Sequence, residues 1–317
     1  MKPSIEVPKI TQRNLSGNLI MFRSTFLRTA ISAAALTMAG AASAAQPLQL
    51  QVHRADATSM FPVASELITG QTDAVLIDAQ FQRNDAQALV HKIKASGKKL
   101  TTVYISHSDP DYYFGLDVVR AAFPDAKIVA SAPTVAAIQA SKDGKLAHWG
   151  PILKDNAPRS LVVPEVLTGD TLTLEGRQIR IVGLDGPTPA RSFVWIPSLK
   201  TVVGGIPVSH NIHVWMADTQ TVASRRDWQK TLDRIDALRP TAVVPGHALP
   251  GADGKVSITT GVAFTRSYLK AFETETARAQ DSAALVAAMK KRYPALGEVP
   301  SLELSAKVVK GEMKWPQ

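Results

Sequence analysis

The sequence predicts an α/β fold in which sheets are covered by helices, and two patterns along the chain support this prediction. Between residues 74 and 141, apolar strands alternate with amphipathic helices, which is typical of right-handed βαβ units. Between residues 171 and 203, short strands are separated by turns such as Glu175-Gly176, which indicates an antiparallel meander. A further helix and strand follow. This order fits a layered α/β sandwich, although the pattern alone permits more than one such sandwich.

The elements of the first half follow from local signals. A helix is expected after the third strand, because Asn84 or Asp85 can cap it, Leu89 and Ile93 share one apolar stripe, and Gly97 ends it. The irregular, proline-containing stretch that follows the last helix of this half indicates a long loop. The predicted strands are 48–53, 62–69, 74–78, 100–106 and 127–130, the other helices are 116–123 and 133–141, and the loop is 150–164.

The second half begins with the meander, whose strands are predicted at 171–174, 178–182, 192–196 and 201–203. A helix then begins at Ser224, where Asp227 completes a capping box, and it ends before Pro240. A strand at 241–244 leads directly to Pro245-Gly246-His247, and the remaining tail is mainly helical.

The beginning of the chain indicates a leader that is removed from the mature protein. From Met21, a basic start precedes a short, alanine-rich apolar run, and Ala42-Ser43-Ala44 matches an A-x-A cleavage site. The apolar run is too short for a stable membrane anchor, and residues 1–20 resemble an upstream extension. We therefore expect residues 1–44 to be leader, residues 45–317 to form one domain, and the mature protein to be periplasmic or secreted.

The composition excludes several kinds of site and partner. The chain has no cysteine, so any metal must be held by histidine and carboxylate side chains. The formal net charge is +9, but the basic residues are scattered, and the longest basic run, Lys290-Lys291-Arg292, falls on a predicted helix. A solvated helix face explains that run better than nucleic-acid binding does. We therefore expect a small-molecule substrate and no nucleic-acid partner.

The segment from Thr101 to Gly115 is the most informative part of the sequence. An apolar strand ends there in a polar loop that carries His107, Asp109 and Asp111 at alternate positions. Alternate side chains share a face on an extended backbone, and two carboxylates held close together require a cation or a proton. The loop therefore predicts a metal or catalytic site. A turn that caps the next helix is the alternative.

This segment resembles the metallo-β-lactamase superfamily, whose signature after the strand is His-x-His-x-Asp-His. His107 and Asp111 match the first histidine and the aspartate of that signature. Asp109 and Tyr112 stand at the positions of the second and the last histidine. The resemblance extends over residues 62–247, so it covers most of the expected mature chain.

Other positions support the resemblance or depart from it. The strand that ends in Asp78 resembles the strand that supports the metal loop of the family, and Pro245-Gly246-His247 resembles the sequence around its last ligand. A count along the meander places Asp185 at the third histidine of the family. Gly205 stands where the family has a bridging aspartate. The resemblance implies a four-layer αββα sandwich with a substituted metal centre.

The resemblance also assigns ligands to two metal positions. The first set is His107, Asp109 and Asp185, and the second set is Asp111, Tyr112, Gly205 and His247. One imidazole with two carboxylates favours a harder ion than zinc, and the loss of the bridging carboxylate disfavours a pair of ions. The resemblance therefore implies one divalent ion (Mn, Fe, Mg, Ca or Zn) or none. We expect His107, Asp109, Asp185 and His247 to lie in one cavity.

Two functions follow from this resemblance. The first is an exported hydrolase of a small ester, lactone, amide or phosphoester. In it, Asp111 orients the attacking water, Tyr112 donates a hydrogen bond to developing negative charge, and His247 protonates the leaving group. The second is a catalytically inactive binding protein that has kept the cleft and lost its metals, because most of the usual ligands are substituted. The candidate substrate contacts lie in a nearby stretch and are His210, His213 and Trp215.

Overall fold

The computed structural model describes residues 46–56 and 58–315, which belong to the compact unit Ala45–Gln317. The predicted leader and its cleavage site lie outside the described residues. Within the described ranges, no helix is both long and apolar enough to cross a membrane.

The first sheet contains six strands that lie side by side in chain order. Its first three strands pair antiparallel, and the third to sixth pair parallel, as expected for βαβ units. The strands are β1 (Gln49–Arg54), β2 (Ala64–Thr69), β3 (Asp73–Ile77), β4 (Lys99–Ile105), β5 (Lys127–Ala130) and β6 (Glu165–Val166). The helices between them are α1 (Arg83–Ala95), α2 (Pro110–Tyr113), α3 (Leu116–Ala122) and α4 (Ala132–Leu153).

The second sheet contains the predicted meander, and a short parallel pair of strands lies beside it. Its strands are β7 (Thr171–Leu174), β8 (Arg177–Val182), β9 (Phe193–Ile196), β10 (Thr201–Val203) and β12 (Ala242–Val243). They lie side by side in the order β12, β10, β9, β8, β7, with β10 and β12 parallel. The short pair is β11 (Ser209–His210) with β13 (His247–Ala248). The helices are α5 (Val222–Ala237), α6 (Gly261–Arg278), α7 (Ser282–Arg292) and α8 (Val299–Val309).

Three hydrophobic cores separate four layers. Leu89 of α1 and Leu76 of β3 belong to the core on the outer face of the first sheet. The neighbouring Ile77 lies in the core between the sheets, together with Ile179 of β8, because successive strand side chains point to opposite faces. Trp228 of α5 belongs to the third core, on the outer face of the second sheet. The order helix, sheet, sheet, helix is the αββα sandwich that the resemblance implied.

Helix α4 is much longer than predicted. The expected helix over 133–141 is present but ends too early in the prediction, and the loop expected from 150 begins too early, because α4 continues to Leu153 with Pro151 inside it. A proline in the last turn removes only one backbone donor. Leu146 and Trp149 pack against the first core and favour continuation of the helix. The extension brings Lys145 and Trp149 to the candidate site.

Two helices begin differently from the predictions. Helix α5 is capped by Thr221, whose hydroxyl accepts the backbone N–H of Ser224 at 3.0 Å, so Ser224 belongs to the first turn. Helix α1 is preceded by Gln82 rather than by Asn84 or Asp85. Asp85 is buried and accepts a hydrogen bond from the Ser59 hydroxyl at 2.6 Å. Asp85, which the local pattern predicted as a helix cap, thus binds Ser59 of a distant segment instead.

Candidate functional site

Asp78, directly after β3, holds two of the loops that form the candidate site. Its Oδ1 accepts the backbone N–H of Ser106 at 2.8 Å, and its Oδ2 accepts the Ser106 hydroxyl at 2.7 Å and the N–H of Gly205 at 3.1 Å. Burial raises the pKa of Asp78 to about 7, although these three donors favour the carboxylate. The loops that follow β4 and β10 are therefore fixed to the end of the first sheet.

Glycines allow two of these loops to touch through their backbones. A Cβ on Gly246 would lie 2.0 Å from the carbonyl oxygen of Gly205. Gly205 itself has φ +74°, and a Cβ there would lie 2.8 Å from the carbonyl oxygen of Ser192. A side chain at position 205 would strain the backbone and clash with its neighbours. The local structure therefore excludes a bridging carboxylate at this position.

His107 is fully buried at the end of β4. Its Nδ1 accepts the backbone N–H of Asp109 at 2.9 Å, and its backbone forms an isolated bridge with Arg191. Burial lowers the pKa of His107 to about 3, so the imidazole is neutral and carries its proton on Nε2. Within the described residues, that Nε2 has no hydrogen-bond partner.

Asp109 is neutralised by a lysine from α4. The Lys145 ammonium lies 3.0 Å from Oδ1 of Asp109 and donates a second hydrogen bond to the carbonyl oxygen of Ser108 at 2.9 Å. Burial opposes ionisation of Asp109, but the neighbouring His107, Lys145 and Arg191 together outweigh it and hold the pKa of this carboxyl below its usual range. The cation beside Asp109 is therefore a side chain of the protein.

Asp111 contacts the last histidine of the pattern. Its Oδ2 lies 2.8 Å from Nε2 of His247, and both side chains are largely buried. Asp111 lies in α2, and His247 begins β13, so the contact joins the His-Asp loop to the loop after β12. The sequence correctly placed these two residues in one region.

The structure contradicts the prediction that Asp185 joins this group. Its side chain is 84% exposed and pairs with Arg234, with Oδ1 2.6 Å from Nη1 and Oδ2 3.2 Å from Nη2. The reason is a tight turn in which the N–H of Gly186 donates to the carbonyl oxygen of Gly183 at 3.0 Å. The turn directs Asp185 to solvent. A count of positions along the strand does not predict this direction.

Three other predicted residues, His107, Tyr112 and His210, do not line the cavity, so the expectation that His107 shares it with Asp109 and His247 is wrong. Tyr112 is fully buried, with its ring centroid 5.4 Å from that of His107 and 5.6 Å from that of His247. Its hydroxyl has no hydrogen-bond partner among the described residues and lies outside the cavity lining, so the hydrogen bond from Tyr112 to a substrate stays a prediction. His210 contacts the Thr260 hydroxyl through Nε2 at 3.0 Å and packs beside Phe264.

A cavity of about 1050 Å³, including space open to solvent, lies over the Asp109 and Asp111 loop. Most of its wall is apolar and aromatic. The sequence-predicted residues that line it are Asp109, Asp111, His213, Trp215 and His247. Residues of the lining that the sequence did not assign to the site include Phe61, Lys145, His148, Trp149, Asp218, Glu298 and Trp315.

Asp218 organises part of the aromatic wall. Its Oδ2 accepts the indole N–H of Trp215 at 2.6 Å, and its Oδ1 accepts that of Trp315 at 2.8 Å. Burial and the charge of Asp109 raise the pKa of Asp218 to about 6, and Arg191 opposes this shift. Trp315 is far away in sequence and lies in the tail, where no local signal indicated a role in the site.

The donors in this region do not fit a divalent metal ion. Asp109 is paired with an ammonium group, which would repel a metal ion, and Asp111 and His247 contact each other directly. Asp185 faces solvent. Across 46–56 and 58–315, no three His, Asp or Glu side chains are arranged to hold a metal ion. The predicted ligand set of His107, Asp109 and Asp185 is therefore not assembled.

Comparisons with known proteins agree with this fold. Residues 60–247 match the model of the metallo-beta-lactamase superfamily. A metallo-beta-lactamase family protein from Thermus thermophilus is 14% identical over 83% of this chain and 94% of its own, with a TM-score of 0.57. A metallo-beta-lactamase from Pontibacter korlensis is 17% identical over 71% of this chain and 95% of its own, with a TM-score of 0.51. A search among curated proteins found no match.

At these identities the solved structures show similarity of fold alone, whereas the family model covers more than half of the sequence. Members of this superfamily are generally metal-dependent hydrolases and typically bind divalent ions, often zinc. On the sequence match and the four-layer architecture together, the chain belongs to the metallo-beta-lactamase superfamily.

Proposed function

We propose that the protein binds a small organic molecule in this cavity without a metal ion. The contact between Lys145 and Asp109 carries the proposal. The resemblance assigns Asp109 as a metal ligand, but in this structure the positive charge beside it is the Lys145 ammonium group. Burial of the unpaired Asp109 carboxylate would be costly, and Lys145 removes that cost without a bound ion. The proposal favours the binding protein over the predicted mononuclear metal site.

The cavity has the character of a small-molecule site. Its walls are mostly apolar, and a few polar groups, among them Asp218 and His247, converge on it. Sites for small organic molecules usually combine a concave apolar surface with a small number of positioned polar groups. This concave shape suits a small molecule more than a macromolecule.

A hydrolase remains the second candidate, and the contact between Asp111 and His247 supports it. A carboxylate that orients an imidazole is a common arrangement for a general base. His247 would accept a proton from water, and Asp111 would stabilise the imidazolium. The substrate classes are the small esters, lactones, amides and phosphoesters expected from the sequence.

A cavity-filling substitution tests the binding proposal. Gly144 of α4 lines the cavity, and a Cβ added there would meet no atom within 4 Å. Gly144→Trp should therefore fill the cavity without disturbing the fold, and Gly144→Ala is the matched control. In ligand-observed NMR with a panel of small organic fragments, fragments should bind the wild type and the alanine variant but not the tryptophan variant. Equal binding to all three proteins would refute the proposal.

Hydrolysis assays separate the two candidates. Metal-depleted mature protein is tested on a panel of esters, lactones, amides and phosphoesters, with His247→Asn as the site variant and the exposed His91→Asn as control. A binding protein gives no turnover. Turnover that persists in chelator and is lost only in His247→Asn supports the hydrolase. Turnover that requires an added metal would contradict the proposal of a metal-independent site.

We also propose that the protein is exported and acts in the periplasm or outside the cell. The basic start, the apolar run and Ala42-Ser43-Ala44 occur in the order of a secretory signal. N-terminal sequencing of the protein from the exported fraction should give Ala45 as the first residue. A mature chain that still begins before Arg23 would exclude cleavage at this site.

A further inference from the structure

The described part of the cavity lining contains more negative than positive side chains. It has four carboxylates and one ammonium group: Asp109, Asp111, Asp218 and Glu298, with Lys145. Two of these carboxylates already contact a basic side chain, Asp109 with Lys145 and Asp111 with His247. Asp218 and Glu298 are therefore the carboxylates that remain for a ligand.

Asp218 makes its side-chain hydrogen bonds with neutral donors, the indoles of Trp215 and Trp315. Burial and the charge of Asp109 raise its pKa, so the protein stabilises its negative charge poorly. Arg191 attracts it, but the guanidinium lines the adjacent, smaller cavity, where it donates to the Thr219 hydroxyl at 3.1 Å. Asp218 lines both cavities, and Arg191 compensates part of its charge from the side of the smaller one.

Glu298 lies on another part of the lining, directly before α8. Its one side-chain hydrogen bond comes from the Ser301 hydroxyl at 3.3 Å, which is a long contact. Burial raises the pKa of Glu298, and His247 and the Ser301 hydroxyl oppose this shift only in part, so the protein compensates the charge of Glu298 incompletely. A cation bound in the cavity would compensate it.

Aromatic rings complete the lining. The ring centroid of Phe61 lies 5.5 Å from that of Trp149 and 6.2 Å from that of Trp215, and those of Trp215 and Trp315 lie 5.1 Å apart. The indole N–H groups of Trp215 and Trp315 are used by Asp218, so neither is available to bind an anion. Aromatic faces attract cations, and most strongly where water is excluded.

From this combination we infer that the cavity selects an organic cation, a small molecule with an ammonium group on an apolar body. The inference rests on the proposed small-molecule binding and specifies its ligand class. The ammonium group lies among the aromatic rings, with Asp218 and Glu298 supplying the counter-charge. An anionic molecule of the same shape meets two incompletely compensated carboxylates and is disfavoured.

Three probes of nearly the same shape and different charge test this inference. They are choline, its neutral isostere 3,3-dimethylbutan-1-ol, and the anion 3,3-dimethylbutanoate. Binding to the mature protein is measured at neutral pH by calorimetry and by quenching of tryptophan fluorescence. Choline should bind about tenfold more tightly than the neutral alcohol, which corresponds to about 1.4 kcal/mol, and the anion should not bind.

Variants of lining residues test whether the preference for choline arises in this cavity. Glu298→Gln should weaken choline binding several-fold and leave binding of the neutral alcohol unchanged, whereas Glu303→Gln, at an exposed position of α8, should change neither. Gly144→Trp should abolish binding of both probes. If the neutral alcohol binds as tightly as choline and Gly144→Trp abolishes both, the cavity binds small molecules but the inference fails. Failure of choline to bind also overturns the inference, while the fragment panel judges the proposed function independently.

Discussion

The imidazole of His247 and the carboxylate of Asp111 contact each other directly, with Nε2 2.8 Å from Oδ2. The resemblance placed both residues in the set for the second metal. In this chain each carboxylate of the His-Asp loop has its own basic partner, because Lys145 contacts Asp109 in the same way. The loop is therefore electrostatically satisfied by the protein itself, and its charges do not require a bound ion.

This contact should contribute measurably to stability. Removal of either side chain leaves its largely buried partner unpaired, so Asp111→Ala and His247→Ala should each lower the free energy of unfolding by about 1–3 kcal/mol. The double variant should lose less than the sum of the two, with a coupling of about 1–2 kcal/mol in urea unfolding at neutral pH.

The exposed pair Asp227 and Lys230 on α5 is the control for this cycle. Its coupling should be below about 0.5 kcal/mol, because water screens exposed ion pairs. Additive losses at Asp111 and His247 would show that their contact does not stabilise the folded protein.

The Lys145 ammonium group should limit how much divalent metal the protein retains. After equilibration with zinc or manganese and gel filtration, elemental analysis of the wild type should find far less than one ion per chain. Lys145→Ala leaves Asp109 without its ammonium partner and should raise retention of either ion. Lys142→Ala, on the same helix and paired with the adjacent Asp143, should behave as the wild type. Stoichiometric zinc in the wild type would contradict our description of the site.

Local sequence was sufficient for the parts of the site that lie at strand ends. His107, Asp111 and His247 follow strands whose apolar character is visible in the sequence, and such ends meet at one edge of a sandwich. The four layers also follow from the order of elements together with the resemblance. These features depend on short-range patterns, which the sequence displays directly.

The remaining residues depend on geometry that short-range patterns do not contain. Lys145 reaches Asp109 only because α4 continues through Gly144, a residue that weakens a prediction of helix. The tight turn between Gly183 and Gly186 directs Asp185 outward, and a count of positions along the strands does not reveal such a turn. Trp315 reaches Asp218 across the fold.

Stability should depend on pH through Glu66. This carboxyl of β2 is fully buried, and burial with the nearby charge of Asp78 raises its pKa well above 4.5, although Arg54 opposes the shift. The folded state then holds a proton that the unfolded state releases above its ordinary pKa. The free energy of unfolding should therefore fall as pH rises through this range, by at most about 1.4 kcal/mol per pH unit.

Glu66→Gln isolates this contribution, because the amide has nearly the same shape and does not ionise. In urea unfolding at a series of pH values, the variant should gain stability relative to the wild type as pH rises from about 5 toward 8. Glu303→Gln, at an exposed position, should leave the pH profile unchanged. Parallel profiles for the wild type and Glu66→Gln would show that Glu66 ionises normally in the folded protein.

Two buried tyrosines should respond in opposite directions to the loss of a hydroxyl group. The hydroxyl of Tyr104 contacts that of Ser192 at 2.8 Å, whereas the hydroxyl of Tyr112 has no partner among the described residues. Tyr104→Phe should therefore lower the free energy of unfolding by about 1 kcal/mol, and Tyr112→Phe should raise it by about the same amount. Urea unfolding at neutral pH measures both. If Tyr112→Phe is destabilising instead, its hydroxyl has a partner in the folded protein. If it also weakens ligand binding or turnover, Tyr112 has the role in the site that the sequence predicted.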